Sequence, residues 1–361
     1  MPIVDSSNPA AEVNLHEDLA GSGLYQLKGA IGSPYSMKMR AVLRYRRIPF
    51  VWQGGLVGFM AAQAMKAKVA PVLVTPEGEA WNDSTGLIQR LEAWHPGGRS
   101  LVPTDPAVAF LSLLLEDMAD EWLSKAMYLY RWARPVDQEQ MSRWLAFDAV
   151  RGGGVDAIVQ QAAVWRDRQV GRRDLVGAGE AAQPVIEASA ARIMSALNQR
   201  VVERGFLFGD RPSAADMAFY GQLTQLATDP TPQALMRELY PWLFRWVQIS
   251  DDLSGEVEGQ WDEDVDSPAL RALLVECSTH YLPCLTANAT ALRSGQATFR
   301  YRAGGVELSQ PTDRYQAKCL QAVLTAFAGL DHEARARLEP VLVETGCYSL
   351  LTSDGSEGVA A

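Results

Sequence analysis

The chain has no run of about 18 or more apolar residues, which argues against a membrane-spanning helix. Cysteine is scarce as well. Only Cys277, Cys284, Cys319 and Cys347 occur, all in the last quarter and none in a CxxC pair. That usage speaks against a disulfide framework and fits a reducing, cytoplasmic setting. Basic charge is short, with 33 Lys and Arg against 43 Asp and Glu and a net charge of −10. Nucleic acid and anionic membranes are therefore poor main partners. The stretch from Met1 to Ala20 carries Asp5, Glu12, Glu17 and Asp18 and no apolar core, so it does not read as a secretory leader. What is present is a chain of 361 residues, 48% hydrophobic, long enough for two or three domains with sizeable cores.

Residues 23–96 alternate between strand and helix patterns. A β-prone run at Gly23–Lys28 is closed by Gly29 and Gly32. Tyr35, Met39, Val42 and Leu43 then recur at helical spacing, which predicts an amphipathic helix over Tyr35–Arg47. Ser33 is placed to cap that helix, and Pro34 takes its favoured first position. Pro49–Gln53 reads as a second strand and Phe59–Ala67 as a short helix. Val69–Val74 reads as a third strand with Pro71 near its start, where a residue without an N–H is tolerated. After a turn at Pro76–Glu79, Ala80–Trp81 is a brief fourth strand, and Leu87, Ile88, Leu91 and Trp94 mark a closing helix. The order βαβαββα is that of an α/β thioredoxin-like domain. Asn82-Asp83-Ser84-Thr85 opens the closing helix, so its free N–H groups favour either an anion or a side-chain cap. Lys38 and Arg40 read as a solvated helix face.

Pro96–Ser100 is a linker by composition, and from Pro106 onward the pattern is all-α. Val108, Leu111, Leu115, Met118, Trp122, Ala126 and Leu129 hold one apolar stripe. Glu116, Asp117, Asp120 and Glu121 cluster in the middle of that helix. With no histidine nearby they read as a solvated or subunit-facing surface rather than a metal site. Trp122, Tyr128, Tyr130, Trp132 and Trp144 suit either core packing or an apolar pocket. Ser213-Ala214-Ala215-Asp216 has the form of a capping box opening another helix. Beyond the acidic break at Asp262–Pro268 come a helix over Ala269–Leu292, a hairpin around Ala303-Gly304-Gly305, and helices over Tyr315–Ala328 and His332–Thr345. Cys277, His280 and Cys284 share one helical face; we read them as buried thiols rather than a zinc site, and expect no metal.

Four of these motifs, in this order, resemble the cytosolic glutathione transferase superfamily. They are Ser33-Pro34-Tyr35-Ser36 with Lys38 and Arg40, Val69-Ala70-Pro71-Val72, Asp83-Ser84, and Phe208–Asp216. The resemblance covers roughly residues 23–250 and implies a domain plan. Residues 1–22 are a flexible arm, 23–96 a thioredoxin-like glutathione-binding domain, and 103–255 an all-α helical domain. The resemblance leaves outside its reach residues 256–349, whose own pattern predicts a helical extension with a hairpin, and 350–361, a flexible tail. It further implies glutathione as co-substrate, a small hydrophobic electrophile as second substrate, and a homodimer. Pro71 would be cis. Ser33 would donate a hydrogen bond to the glutathione thiolate, or serve only as a helix cap. Asp83 and Ser84 would hold the γ-glutamyl group, with Tyr35, Ser36, Lys68, Ala70 and Pro71 as further binding residues. The absence of cysteine at this position disfavours thiol–disulfide exchange. The activity expected is conjugation of glutathione, of the detoxifying kind. The alternative is a non-catalytic ligand-binding or scaffold protein.

Overall fold

The computed structural model describes residues 22–352. The arm and tail expected at the two ends lie outside that span, except that Leu350–Thr352 close a helix rather than starting a tail. Strands and helices β1 (Tyr25–Lys28), α1 (Pro34–Tyr45), β2 (Phe50–Gln53), α2 (Leu56–Ala64), β3 (Val72–Val74), β4 (Ala80–Asn82) and α3 (Ser84–Trp94) follow in the expected order. The sheet runs β2-β1-β3-β4, with β1 parallel to β2 and antiparallel to β3, and β3 antiparallel to β4. This is the thioredoxin-like topology.

The register decides where a site can form. Gln53, Lys28, Val72 and Asn82 stand in one row across the four strands. At this row β1 and β4 end and β3 begins. The loop before Ser33, the Ala70–Pro71 step and the Asp83–Ser84 step therefore all sit at one end of the sheet. Close backbone approach tightens the arrangement. A Cβ on Gly58 of α2 would lie 1.9 Å from the Gly29 carbonyl oxygen, so only glycine lets α2 sit against that loop.

The helical part begins with α4 (Pro106–Met118), which continues through one π turn (Ala119–Leu123) into α5 (Ser124–Ala133). Helices α6 (Pro135–Val150) and α7 (Val155–Val170) pack on each other. Then come α8 (Gln183–Arg204), α9 (Ala214–Leu226), α10 (Pro230–Leu239) and α11 (Pro241–Ser250). The capping box at the start of α9 is complete: Ser213 Oγ accepts from the Asp216 N–H, and the Asp216 carboxylate accepts from the Ser213 N–H. The same carboxylate also accepts from the Leu207 N–H at 2.9 Å. Helix α9 is buried almost all round and crosses α1 at Gly221, where a Cβ would meet the Pro34 carbonyl oxygen at 2.6 Å. A helix with a complete capping box thus supports the first turn of α1.

The last hundred residues form α12 (Pro268–Glu276), a second π turn (Cys277–Tyr281), α13 (Leu282–Arg293), a hairpin of β5 (Thr298–Ala303) and β6 (Val306–Pro311), and α14 (Arg314–Ala328), α15 (His332–Glu344) and α16 (Cys347–Thr352). They share the core of the helical part instead of enclosing a separate one. Helices α14 and α15 lie on α4, with Phe327 against Phe110 at 5.3 Å between ring centroids and Arg337 paired to Asp105. The two π turns meet: Cys277 Sγ lies 3.3 Å from Met118 Sδ, and His280 packs on the Trp122 ring. No helix among the described residues is long and apolar enough to cross a membrane.

Candidate functional site

Ser33 sits half-buried at the start of α1 in an extended conformation, and its Oγ accepts a hydrogen bond from the Ser36 N–H at 3.3 Å. The loop in front of it is gripped from the helical part. Arg131 of α5 donates to the Gly32 carbonyl at 2.8 Å, and Gln225 of α9 donates to the Ile31 carbonyl at 3.0 Å. Asp229 and Gln225 in turn hold the Arg131 guanidinium, which is buried. Beside this loop is a cavity of about 70 Å³, with Met37, Met141, Trp144 and Leu145 in its walls. Trp144 and Ile31 remain about half exposed at this edge, whereas Trp122, Tyr130 and Trp132 are core residues.

The Ala70–Pro71 peptide is cis. Asn82 fixes the approach to it, donating its amide N–H groups to the carbonyls of Ala67 at 2.6 Å and Val69 at 3.2 Å. Asp83 occupies the cap position of α3 with φ of +81°, in the left-handed region that few non-glycine residues adopt. Its carboxylate makes no capping bond to the helix. The first-turn N–H groups of α3 are therefore left to other partners. Ser84 is buried at this helix start. A carboxylate standing beside a helix N-terminus offers complementary charge to both ends of an α-amino acid group.

Of the residues expected to bind, the fold brings Ser33, Ala70, Pro71, Asp83 and Ser84 to one end of the sheet. Lys68 lies exposed on the loop that leads to Pro71. Two others differ from expectation. Ser36 is fully buried beneath the loop, with its Oγ near the Ala30 N–H at 3.3 Å. The Tyr35 hydroxyl is committed to the Asp120 carbonyl at 2.9 Å, and burial pushes its pKa well above the usual tyrosine value. Both side chains serve the frame around the site.

Lys38 and the acidic quartet also differ from the solvated faces expected of them. Lys38 is fully buried, and its Nζ lies 2.7 Å from both Glu116 Oε1 and Asp120 Oδ2. Burial opposes the Lys38 charge, but Asp120 and Glu116 outweigh it and hold the ammonium pKa above the ordinary lysine range. Glu116 also accepts from the Thr85 hydroxyl at 3.0 Å, which links α4 to the first turn of α3. Asp117 and Glu121 face the extension: Tyr281 donates to Asp117, and Gln316 of α14 donates to Glu121 at 3.1 Å. Burial raises Asp117 and Asp120 to about 6, and burial together with the nearby Asp117 raises Glu121 to about 8. The helix that looked like a surface is a junction, joining α1 on one side and the extension on the other.

Among the described residues, one group of His, Cys, Asp and Glu ligand atoms lies close enough to share an ion: Asp117, Glu121 and Cys319. Cys277, His280 and Cys284 do not form such a group, and all four cysteines are free and buried.

The comparisons agree with this architecture. A family description of the glutathione S-transferase N-terminal domain matches residues 27–99, and one of the C-terminal domain matches residues 161–248. The chain is similar to a probable glutathione S-transferase, GSTU6, of Oryza sativa subsp. japonica, at 28% identity over 136 residues. That match takes in 36% of this chain, and the chain spans about half (50%) of the rice protein's length. Among solved structures, a glutathione S-transferase from Methylobacterium radiotolerans in complex with glutathione sulfonate is 19% identical, with a TM-score of 0.41 over 67% of this chain and 98% of its own. The β-etherase LigF from a Sphingobium strain is 14% identical, with a TM-score of 0.42 over 69% of this chain and 98% of its own. Neither structural likeness is close enough to transfer a reaction. With both domain matches in order on the topology described above, the chain resembles the glutathione S-transferase superfamily over these two stretches and carries an additional C-terminal helical region.

Proposed function

We propose that the chain is a glutathione-dependent transferase acting on a small hydrophobic electrophile. The observation that carries this reading is the row Lys28–Val72–Asn82, which gathers the Ser33 hydroxyl, the cis Ala70–Pro71 step and the Asp83–Ser84 helix start. Asp83 would accept the γ-glutamyl ammonium, and the first turn of α3 with Ser84 would take the adjoining carboxylate. The backbone at Ala70–Pro71 would lie along the cysteinyl part, and exposed Lys68 stands near enough in sequence to assist with its anionic end.

Capping does not disqualify Ser33. Its Oγ uses a lone pair to accept from the Ser36 N–H, while its own proton remains available to a sulfur. A hydrogen bond to the charged form, at the positive end of α1, would favour thiolate over thiol. Bound glutathione would then supply the nucleophile, forming a carbon–sulfur bond as the electrophile loses a leaving group or takes up a proton. The apolar edge of Ile31, Trp144 and Leu145 supports a hydrophobic second substrate. The setting expected is cytoplasmic. A homodimer would use a face other than the α4 surface that α14 and α15 cover.

The test is glutathione titration with ultraviolet detection of the thiolate. Binding with thiolate absorbance that Ser33→Ala weakens supports catalysis. Absence of binding at millimolar glutathione would sink the proposal. A second reading, a glutathione-binding protein without turnover, is favoured by the Ser33 cap itself; binding without thiolate formation would select it.

A further inference from the structure

The extension reaches the proposed glutathione site. Tyr315, in the first turn of α14, donates its hydroxyl to Asp83 Oδ1 at 3.0 Å. The contact is built from both sides. On the α14 side, Asp313 caps the helix by accepting from the Tyr315 N–H at 2.7 Å. Asn288 of α13 brackets Asp313, donating to its carbonyl at 2.7 Å and accepting from its N–H at 2.8 Å. Next in sequence, Gln316 donates to Glu121, and one turn on Cys319 stands with Asp117 and Glu121. The start of α14 is thus held in place independently of Tyr315. On the α3 side, the Asp83 carboxylate makes no capping bond to its own helix and accepts from this phenol. Burial and the neighbouring Cys319, Asp83 and Glu121 raise the Tyr315 pKa, so the phenol keeps the proton it donates.

Resting on the glutathione reading above, we infer that Tyr315 is a positioning residue for the ligand's γ-glutamyl ammonium. A free carboxylate at a positive-φ position can rotate. One whose Oδ1 accepts from a fixed phenol presents Oδ2 in a single direction, which lowers the ordering that binding requires. The C-terminal region that distinguishes this chain would therefore complete the recognition of the amino end of the substrate.

The experiment compares the parent chain, Tyr315→Phe, Asp83→Asn and the double variant by calorimetric titration. The ligands are glutathione and glutathione acetylated on its γ-glutamyl nitrogen, which removes the ammonium. Tyr315 is 43% exposed and phenylalanine keeps its ring, so the fold should persist; thermal unfolding of each variant checks this. The parent should bind glutathione and discriminate against the acetylated form. Tyr315→Phe should lose about tenfold in affinity for glutathione and little for the acetylated ligand, the scale of one hydrogen bond to a charged group. Asp83→Asn should lose more, and adding Tyr315→Phe to it should change nothing further. Unchanged or tighter glutathione binding by Tyr315→Phe, with normal binding by the parent, overturns the inference and leaves the glutathione reading standing. A parent chain that does not bind glutathione overturns both.

Discussion

Replacing Lys38 with methionine should expose the electrostatic debt at the centre of the molecule. Methionine approximates the length of the lysine stem and keeps its packing, so the change isolates the ammonium. That group is fully buried and lies 2.7 Å from carboxylates on two different turns. Its removal leaves Glu116 with the Thr85 hydroxyl alone, and leaves Asp120, whose Oδ1 already lacks a partner, with no side-chain donor. Breaking a buried ion pair from one side costs about 3–5 kcal/mol. Against a total stability of roughly 5–15 kcal/mol that is a large fraction, so the variant should be marginal near neutral pH.

The loss should also depend on pH, with a sign that follows from the carboxyls. Asp120 already titrates near 6 in the folded state because of burial, above its unfolded value, and Lys38 acts to lower it. Without Lys38 it rises further. A group whose folded pKa is raised stabilises the native state fully below the unfolded pKa, and this contribution is lost as pH climbs through the folded value. The deficit of Lys38→Met should therefore be small at about pH 5, where Asp120 is protonated, and full at about pH 8. Urea midpoints for the parent and variant, measured side by side at both values, read this directly. A deficit equal at the two pH values, or below about 1 kcal/mol at the higher one, would refute the buried-counterion account.

Ser33→Ala should reduce the thiolate absorbance of bound glutathione while lowering stability only by about 0.5–2 kcal/mol, the range for losing an N-cap; unchanged absorbance assigns Ser33 to capping alone. Asp216→Ala leaves the N–H groups of Leu207 and Ser213 without their acceptor inside the core. It should cost roughly 2–4 kcal/mol in urea unfolding, and a loss under about 1 kcal/mol would contradict the structure. With Glu121 raised to about 8, the parent should lose stability as pH rises from about 5 to about 8, a fall that Glu121→Gln flattens. Asp117 and Asp120, which burial raises to about 6, act in the same direction at the lower end of that range, so calorimetric melting of the variant against the parent isolates Glu121.

Much of the fold was legible because its signals are local. Ser33 followed by proline marks a helix start, the capping box of Ser213 and Asp216 marks another, and short β-prone runs between glycines mark the strands. The hairpin of β5 and β6 followed from its glycine pair, though β6 runs on to Pro311. Helix boundaries moved by a few residues: Phe59–Ala67 became Leu56–Ala64, and the helix over Ala269–Leu292 is broken by a π turn. No sequence pattern announces a π turn, because it changes which side chains align without changing composition. Tyr315 was equally silent. Its partner Asp83 is 232 residues away, and a tyrosine in the first turn of a helix carries no mark of what it will meet.

The acidic quartet is a different case, since its signal is present in the sequence. Lys38 lies between Tyr35 and Val42 at helical spacing, inside the stripe that faces inward, where a charge must find a partner. Glu116 and Asp120 likewise adjoin an apolar stripe that includes Leu115 and Met118. A charged residue within an apolar stripe, and a second element carrying opposite charges at i and i+4, together describe a buried pairing better than two solvated faces. The remaining pair, Asp117 and Glu121, is one position further round the helix, which turns it from α1 toward Tyr281 and Gln316. One stretch of helix thus serves two interfaces with like charges placed back to back. Burial first, and then neighbouring carboxylates, raise Asp117, Asp120 and Glu121, so Lys38 on one side and protons on the other must balance the same cluster. The extension is held to the thioredoxin-like domain through this shared balance, and through Tyr315 to Asp83 at the start of α3.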